Sequence, residues 1–198
     1  MQYLEQTFNL PELRELSAHQ IAAHLALYQG YVKNTNALMA QINELKADAA
    51  RNALPPAELK RRFGFEFNGM RLHELYFEAL GGTGKVGSAL ADALAAQFGS
   101  FEAWKAEFTA IGLMRGIGWT LLVHDAKTNV FHNVWVSDHE VGHLGGLPVM
   151  LAMDVWEHAY LLDYLPAERG KYIAAFFDNL RWDVCESRFT AARTEKRG

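Results

Sequence analysis

The hydrophobic spacing changes twice along the chain, and that restricts the possible folds more than any single motif. Up to about residue 116 the apolar residues recur at helical intervals. Leu13, Leu16, Ile21, His24, Leu25 and Tyr28 share one face, and the pattern resumes over 37–45 after the polar KNTN stretch. Residues 52–56 punctuate it, with Pro55-Pro56 ahead of a basic helical turn, AELKRR. NGMRLHELYFEAL then reads as a compact helix ending at Gly81-Gly82, and KVGSALADALAAQF as another stopped by Gly99. Ser100 suits the N-cap of SFEAWKAEFTAIG. Beyond Gly116, GWTLLVHD and NVFHNVWVSD are rich in β-branched and aromatic residues and flank a short AKTN turn, which predicts a hairpin. LPVMLAMD is a third run of strand length, and helical spacing returns from Trp156 to Ala192.

This order predicts an α+β fold: an N-terminal helical hairpin domain over 1–84, then an α/β domain over 85–198. The second would hold a small antiparallel sheet of about three strands flanked by helices. Only the tail TEKRG reads as disordered. A net charge of -4 argues against a surface built for nucleic acid. No apolar run is long enough to span a membrane, and MQYLEQTFNL lacks the pattern of a signal peptide. The single cysteine, Cys185, excludes an internal disulfide and fits a reducing compartment, so the expectation is cytoplasmic.

Three motifs carry possible chemistry. Gly82-Thr83-Gly84-Lys85-Val86-Gly87 fits GxGxxG, but a helix precedes it where dinucleotide binding needs a strand, so it reads as a connector. His139-Glu140-Val141-Gly142-His143 fits the HExxH of zinc proteases, in which two imidazoles on one helix face hold zinc and the Glu activates water. Gly142, Gly145, Gly146 and Pro148 oppose a helix there, and Val149 stands where a third His would fall. In Asp154-Val155-Trp156-Glu157-His158, Asp and His at i and i+4 can converge on iron, manganese or zinc, with Trp156 walling the ion from water. An amphipathic helix with an incidental ion pair explains the same spacing.

DVWEHAY also closely resembles the signature of the iron/manganese superoxide dismutases. HLALYQGYVKNTN, RLHELYFEAL, SFEAWKAEFTAIG, GIGWTLLV and YIAAFFDNLRWDV resemble further segments of that family, in the family's order. The resemblance implies one iron or manganese ion per chain, held by His24, His73, Asp154 and His158 between the two domains. It implies an enzyme that converts superoxide to oxygen and hydrogen peroxide as the metal cycles between +3 and +2. His139 in place of the family's usual Gln leans toward iron or toward tolerance of either metal.

By the same resemblance Tyr31 is the gateway tyrosine of the substrate channel, and His139 contacts the ion's solvent, with His143 structural. Trp119 and Trp156 form aromatic walls, and Glu157 reaches across the interface of a homodimer or homotetramer. Tyr28 and Leu161 replace the family's cross-subunit His and Tyr, which fits a repacked interface. Tyr31 lies one residue closer to the first ligand than the family pattern has it. Arg169 is read either as the positive charge that draws the anionic substrate or as a solvated side chain. His19, His124 and His132 are expected at the surface, and Cys185 and the Phe63, Phe65, Phe67 run in the core. The alternatives are the zinc protease built on His139, Glu140 and His143, and a dismutase-like scaffold without catalysis.

Overall fold

The computed structural model describes residues 2–46 and 53–194. Helix α1 (Ala18–Leu45) starts at Ser17, whose Oγ accepts the Gln20 N–H at 3.0 Å. Helix α2 (Leu54–Glu78) carries its two prolines in the first turn, where no intrahelical N–H is lost. The pair forms an antiparallel hairpin: the His24 ring lies beside Phe77, Tyr28 bonds Glu74, Tyr31 faces Gly69, and Asn34 bonds Glu66. Two sequence expectations change here. The KNTN stretch does not interrupt α1, and the basic turn AELKRR belongs to the same helix as NGMRLHELYFEAL. Tertiary packing of the apolar stripe carries both helices through polar and glycine-containing turns.

Helices α3 (Ser88–Phe98) and α4 (Phe101–Gly112) lead into the sheet, with Ser100 capping α4 as its sequence position predicted. The sheet holds β1 (Gly118–Asp125), β2 (Val130–Ser137) and β3 (Val149–Asp154) in the antiparallel order β2-β1-β3. Strand β1 is buried at nearly every position because β2 and β3 pair both its edges and helices pack on both its faces, which is why its sequence runs apolar without alternation. Helix α4 packs on β1 and β2, while α2 and the last helix pack on β3. The α+β order expected from sequence is the order found.

Between Asp154 and Arg169 the backbone departs from the helical reading of the sequence. Asp154 stays in the ladder opposite Trp119, and its Oδ1 accepts the Trp156 N–H at 2.8 Å, which turns the chain out of β3. His158 sits in a short 3-10 turn (Glu157–Ala159), and a second such turn (Pro166–Glu168) precedes α5 (Arg169–Asp178) and α6 (Trp182–Thr194). The glycine connector after α2 is fixed to the corner between α5 and α6, with Gly82 N–H on Asn179 O at 2.8 Å and Gly84 N–H on Leu180 O at 3.1 Å. The N-terminal arm is clamped as well. Asn36 bonds both the N–H and the C=O of Tyr3, and Asn179 does the same for Arg14. The tail expected to be disordered begins at Thr194, the end of α6; residues 195–198 lie outside the described residues.

Candidate metal centre

α1 brings His24, α2 brings His73, the end of β3 brings Asp154, and the 3-10 turn brings His158. One donor atom from each of these four lies within 4.8 Å of the others, the one such group among the described residues. Asp154 Oδ2 is the meeting point, with the Nε2 atoms of His24, His158 and His73 at 3.0, 3.1 and 3.5 Å. His24, His73 and Asp154 are fully buried, and His158 is partly exposed.

The chemistry of the set fits an ion. His73 Nδ1 lies 2.6 Å from Gly69 O, so that nitrogen carries the proton and Nε2 offers a lone pair to the centre. His73 Nε2 makes no hydrogen bond despite being buried, which is costly unless something else completes it. Burial lowers the pKa of His24 and pulls that of His73 well down, so both imidazoles are neutral ligands. Burial alone would raise the Asp154 pKa, but His158 and His24 hold it well below the usual carboxylate range. An anionic oxygen ringed by imidazole nitrogens is a ligand set for iron, manganese or zinc.

Beside the cluster lies a hydrogen-bonded chain. The Trp119 indole Nε1–H donates to His139 Nδ1 at 2.9 Å, and His139 Nε2 lies 2.7 Å from the Tyr31 hydroxyl. Indole only donates, so Nδ1 must be the lone-pair nitrogen. Burial holds the His139 pKa down to about 4, so the ring is neutral and its one proton sits on Nε2, donated to Tyr31. The Tyr31 pKa is raised, first by burial and then by the charge of Asp154, so the phenol keeps its proton. Trp156 stacks on both the His139 and the His158 ring, at 5.0 and 5.5 Å between centroids, and its Nε1 donates to Asp138 O. Asp138 holds a left-handed backbone (φ 51°), the bend that turns His139 inward from the end of β2.

The HExxH motif is not a zinc site. Residues 138–147 form turns rather than a helix, and both His139 nitrogens are already engaged. His143 Nε2 instead bonds the His139 carbonyl at 3.0 Å, which Asn68 Nδ2 also holds at 2.8 Å. Of the other histidines, His19 and His132 are exposed as expected. His124 is buried between Phe131 and Phe189, because both faces of β1 are covered. Arg169 is spent on the Tyr160 hydroxyl and the carbonyls of Met114 and Gly116. Tyr28 is buried within its own chain, accepting from Gln6 N at 2.8 Å and bonding Glu74 Oε1 at 3.2 Å, while Leu161 and Glu157 are exposed.

The model of the iron/manganese superoxide dismutases, C-terminal domain, matches residues 86–188. The chain is 42% identical over 167 residues to the superoxide dismutase [Fe] of Cupriavidus metallidurans, covering 83% of each protein. The chain belongs to the iron/manganese superoxide dismutase family. Membership sets it among oxidoreductases. It is also 38% identical over 171 residues to superoxide dismutase [Mn] 2 of Haloferax volcanii, covering 85% of this chain and 84% of the relative. With the superoxide dismutase [Fe] of Sulfolobus acidocaldarius it shares 34% identity over 167 residues, covering 81% and 79%. Relatives named for iron and for manganese both align, and the four-residue cluster is compatible with either ion.

Within this dismutase fold some contributors escaped the sequence reading. Gly69 supplies the carbonyl for His73 and the space for Tyr31: a Cβ there would stand 2.6 Å from the Tyr31 ring. Its position four residues before a ligand His on one helix was the available signal. Phe65 packs edge-on against His139 at 4.7 Å, and the Arg62 guanidinium lies 4.0 Å over the Phe65 ring. Nothing in a basic helical turn singled out Arg62.

Proposed function

We propose that the chain is a superoxide dismutase holding one iron or manganese ion on His24, His73, Asp154 and His158, at the seam between residues 1–84 and 85–198. The observation that carries this reading is the buried convergence of three imidazole Nε2 atoms on Asp154 Oδ2, next to a neutral His139 already bonded to Tyr31. When bound, the metal supplies electron exchange by cycling between +3 and +2, so that one superoxide leaves as oxygen and another as hydrogen peroxide.

The protein's own residues do the rest. Asp154 brings one negative charge and the three histidines none, so a +3 or +2 ion stays net positive and attractive to a small anion. Peroxide needs protons, and Tyr31 holds one on Oη at neutral pH while receiving the His139 Nε2–H bond. Trp119 fixes the His139 tautomer, and Trp156 stacks on both His139 and His158, excluding water from that side. Arg62 lies half-exposed over the Phe65 ring beside this aromatic group, with its guanidinium paired to Glu66 Oε1 at 2.8 Å. A homodimer or homotetramer, with Glu157 reaching a second copy, is part of the proposal, as is a cytoplasmic site of action. No described helix is long and apolar enough to cross a membrane.

Elemental analysis run beside superoxide turnover tests the reading. Iron or manganese near one per chain, with turnover that tracks metal content, is expected. Full occupancy without turnover would mean a dismutase-like scaffold. Asp154→Ala and His73→Ala should each abolish metal retention, and wild-type occupancy in either would refute the ligand assignment.

A further inference from the structure

The polar side chain that joins α1 to the His158 turn is Gln20. It is fully buried and lies one helical turn before His24. Its Nε2 donates to the His158 carbonyl at 2.6 Å, and its Oε1 accepts the Leu162 N–H at 2.9 Å. One bond needs a donor and the other an acceptor, so the two backbone groups fix the orientation of the amide. Two more bonds continue along the same seam: Ser17 N–H donates to Asp163 Oδ2 at 2.7 Å, and the Tyr164 hydroxyl to Glu15 O at 2.5 Å.

His158 has the least support of the four donors. Its backbone is a three-residue 3-10 turn rather than a helix or strand, and its side chain is 21% exposed where the other three are at 0%. We propose that Gln20 is a positioning residue for the metal centre, holding the His158 turn at a fixed distance from α1 and so setting the gap between the His24 and His158 imidazoles. The two rings stand 5.0 Å apart, and both Nε2 atoms reach Asp154 Oδ2 at about the same distance, 3.0 and 3.1 Å. The lever is short: one amide links a ligand's own carbonyl to the helix that carries another ligand one turn later. Without it the His158 carbonyl and the Leu162 N–H lose their partly buried partner on α1, and the turn is free to move. This rests on the reading of the cluster as a metal site.

The test compares Gln20→Met, which keeps the shape and loses both bonds, and Gln20→Glu, which keeps the acceptor alone, with Tyr164→Phe. Tyr164→Phe removes a bond from the same seam without touching the His158 turn. Each protein is loaded with cobalt(II), which needs only the ligands and no redox step. The readouts are metal release into excess chelator, the visible cobalt spectrum and the unfolding midpoint of the metal-free form. Both Gln20 variants should release cobalt about 10-fold faster than wild type, with an altered spectrum. Tyr164→Phe should lower the midpoint yet keep the wild-type spectrum and release rate. If release in the Gln20 variants follows their midpoints on the same line as Tyr164→Phe, with unchanged spectra, Gln20 is only a structural contact and the proposal falls. A wild type that holds cobalt in its four ligands, but shows no superoxide turnover when loaded with iron or manganese, overturns the dismutase reading instead. The release rates still decide Gln20 in that case.

Discussion

His139 owes its role to its neighbours rather than to its own chemistry. Trp119 can only donate, burial keeps the ring neutral, and the remaining proton must therefore point at Tyr31. Trp119→Phe removes that constraint and leaves His139 Nδ1 without a partner in a dry site, at a cost of about 1–3 kcal/mol. Its denaturation midpoint should fall, and its pH profile of turnover should shift because either tautomer becomes available. An unchanged profile would separate Trp119 from the chemistry.

A second expectation concerns the metal-free protein. The folded His139 pKa is held down to about 4, whereas an unfolded histidine titrates near its ordinary 6.5. Between those values the unfolded chain binds the proton and the folded one does not, so stability is full above about 6.5 and falls as the pH drops toward 4. His24 and His73 are shifted the same way. Urea denaturation of the metal-free protein at several pH values in that window should show the loss, about 3 kcal/mol from His139 alone. A flat profile would mean that these imidazoles are not buried in the neutral form.

At the scale of elements, the close approach of α2 to α1 depends on Gly69. A methyl group there meets the Tyr31 ring at 2.6 Å, with α2 backbone on one side and His139 on the other. Gly69→Ala should cost about 1–3 kcal/mol and pull the Tyr31 hydroxyl off His139. Gly64→Ala, five residues earlier in the same helix, would meet only the end of the Glu140 side chain at 3.2 Å. It should stabilise by up to about 1 kcal/mol through helix propensity, with turnover unchanged. Thermal melts and turnover on both variants check the contrast, and an active, stable Gly69→Ala would refute it. Helical periodicity made α1 to α4 legible, and β-branched and aromatic runs of strand length made the three strands legible. Helical spacing misjudged 156–160, where the Asp154 carboxylate took the Trp156 N–H and a short 3-10 turn formed in place of a helix. A spacing of four put Asp154 and His158 together without specifying the backbone between them.

Across the whole molecule the four donors come from residues 24 to 158, so an ion bound among them ties both halves of the chain together. Metal removal should therefore lower the unfolding temperature of the protein as a unit, with a loss of about 2.7 kcal/mol of stability relative to free metal 100-fold above Kd. Calorimetry of loaded and stripped protein measures this, and two separate transitions in the loaded form would contradict it. Exposed Leu161 and Leu162 flank the same turn as Glu157. Sedimentation should find at least a dimer, and Glu157→Ala should shift it toward the monomer.

The sequence by itself determined the order of elements, the strand positions and the residues able to hold a metal, since these follow from periodicity, local capping and the family's ordered segments. The tertiary structure decided what periodicity cannot encode. Packing covered both faces of β1 and buried His124, and the turn at Asp138 gave His139 to Tyr31 rather than to zinc. Gln20 was put within reach of the His158 carbonyl in the same way. Each of these rests on contacts between residues far apart in the chain, and a hydrogen bond or a burial between distant residues leaves no trace in local spacing.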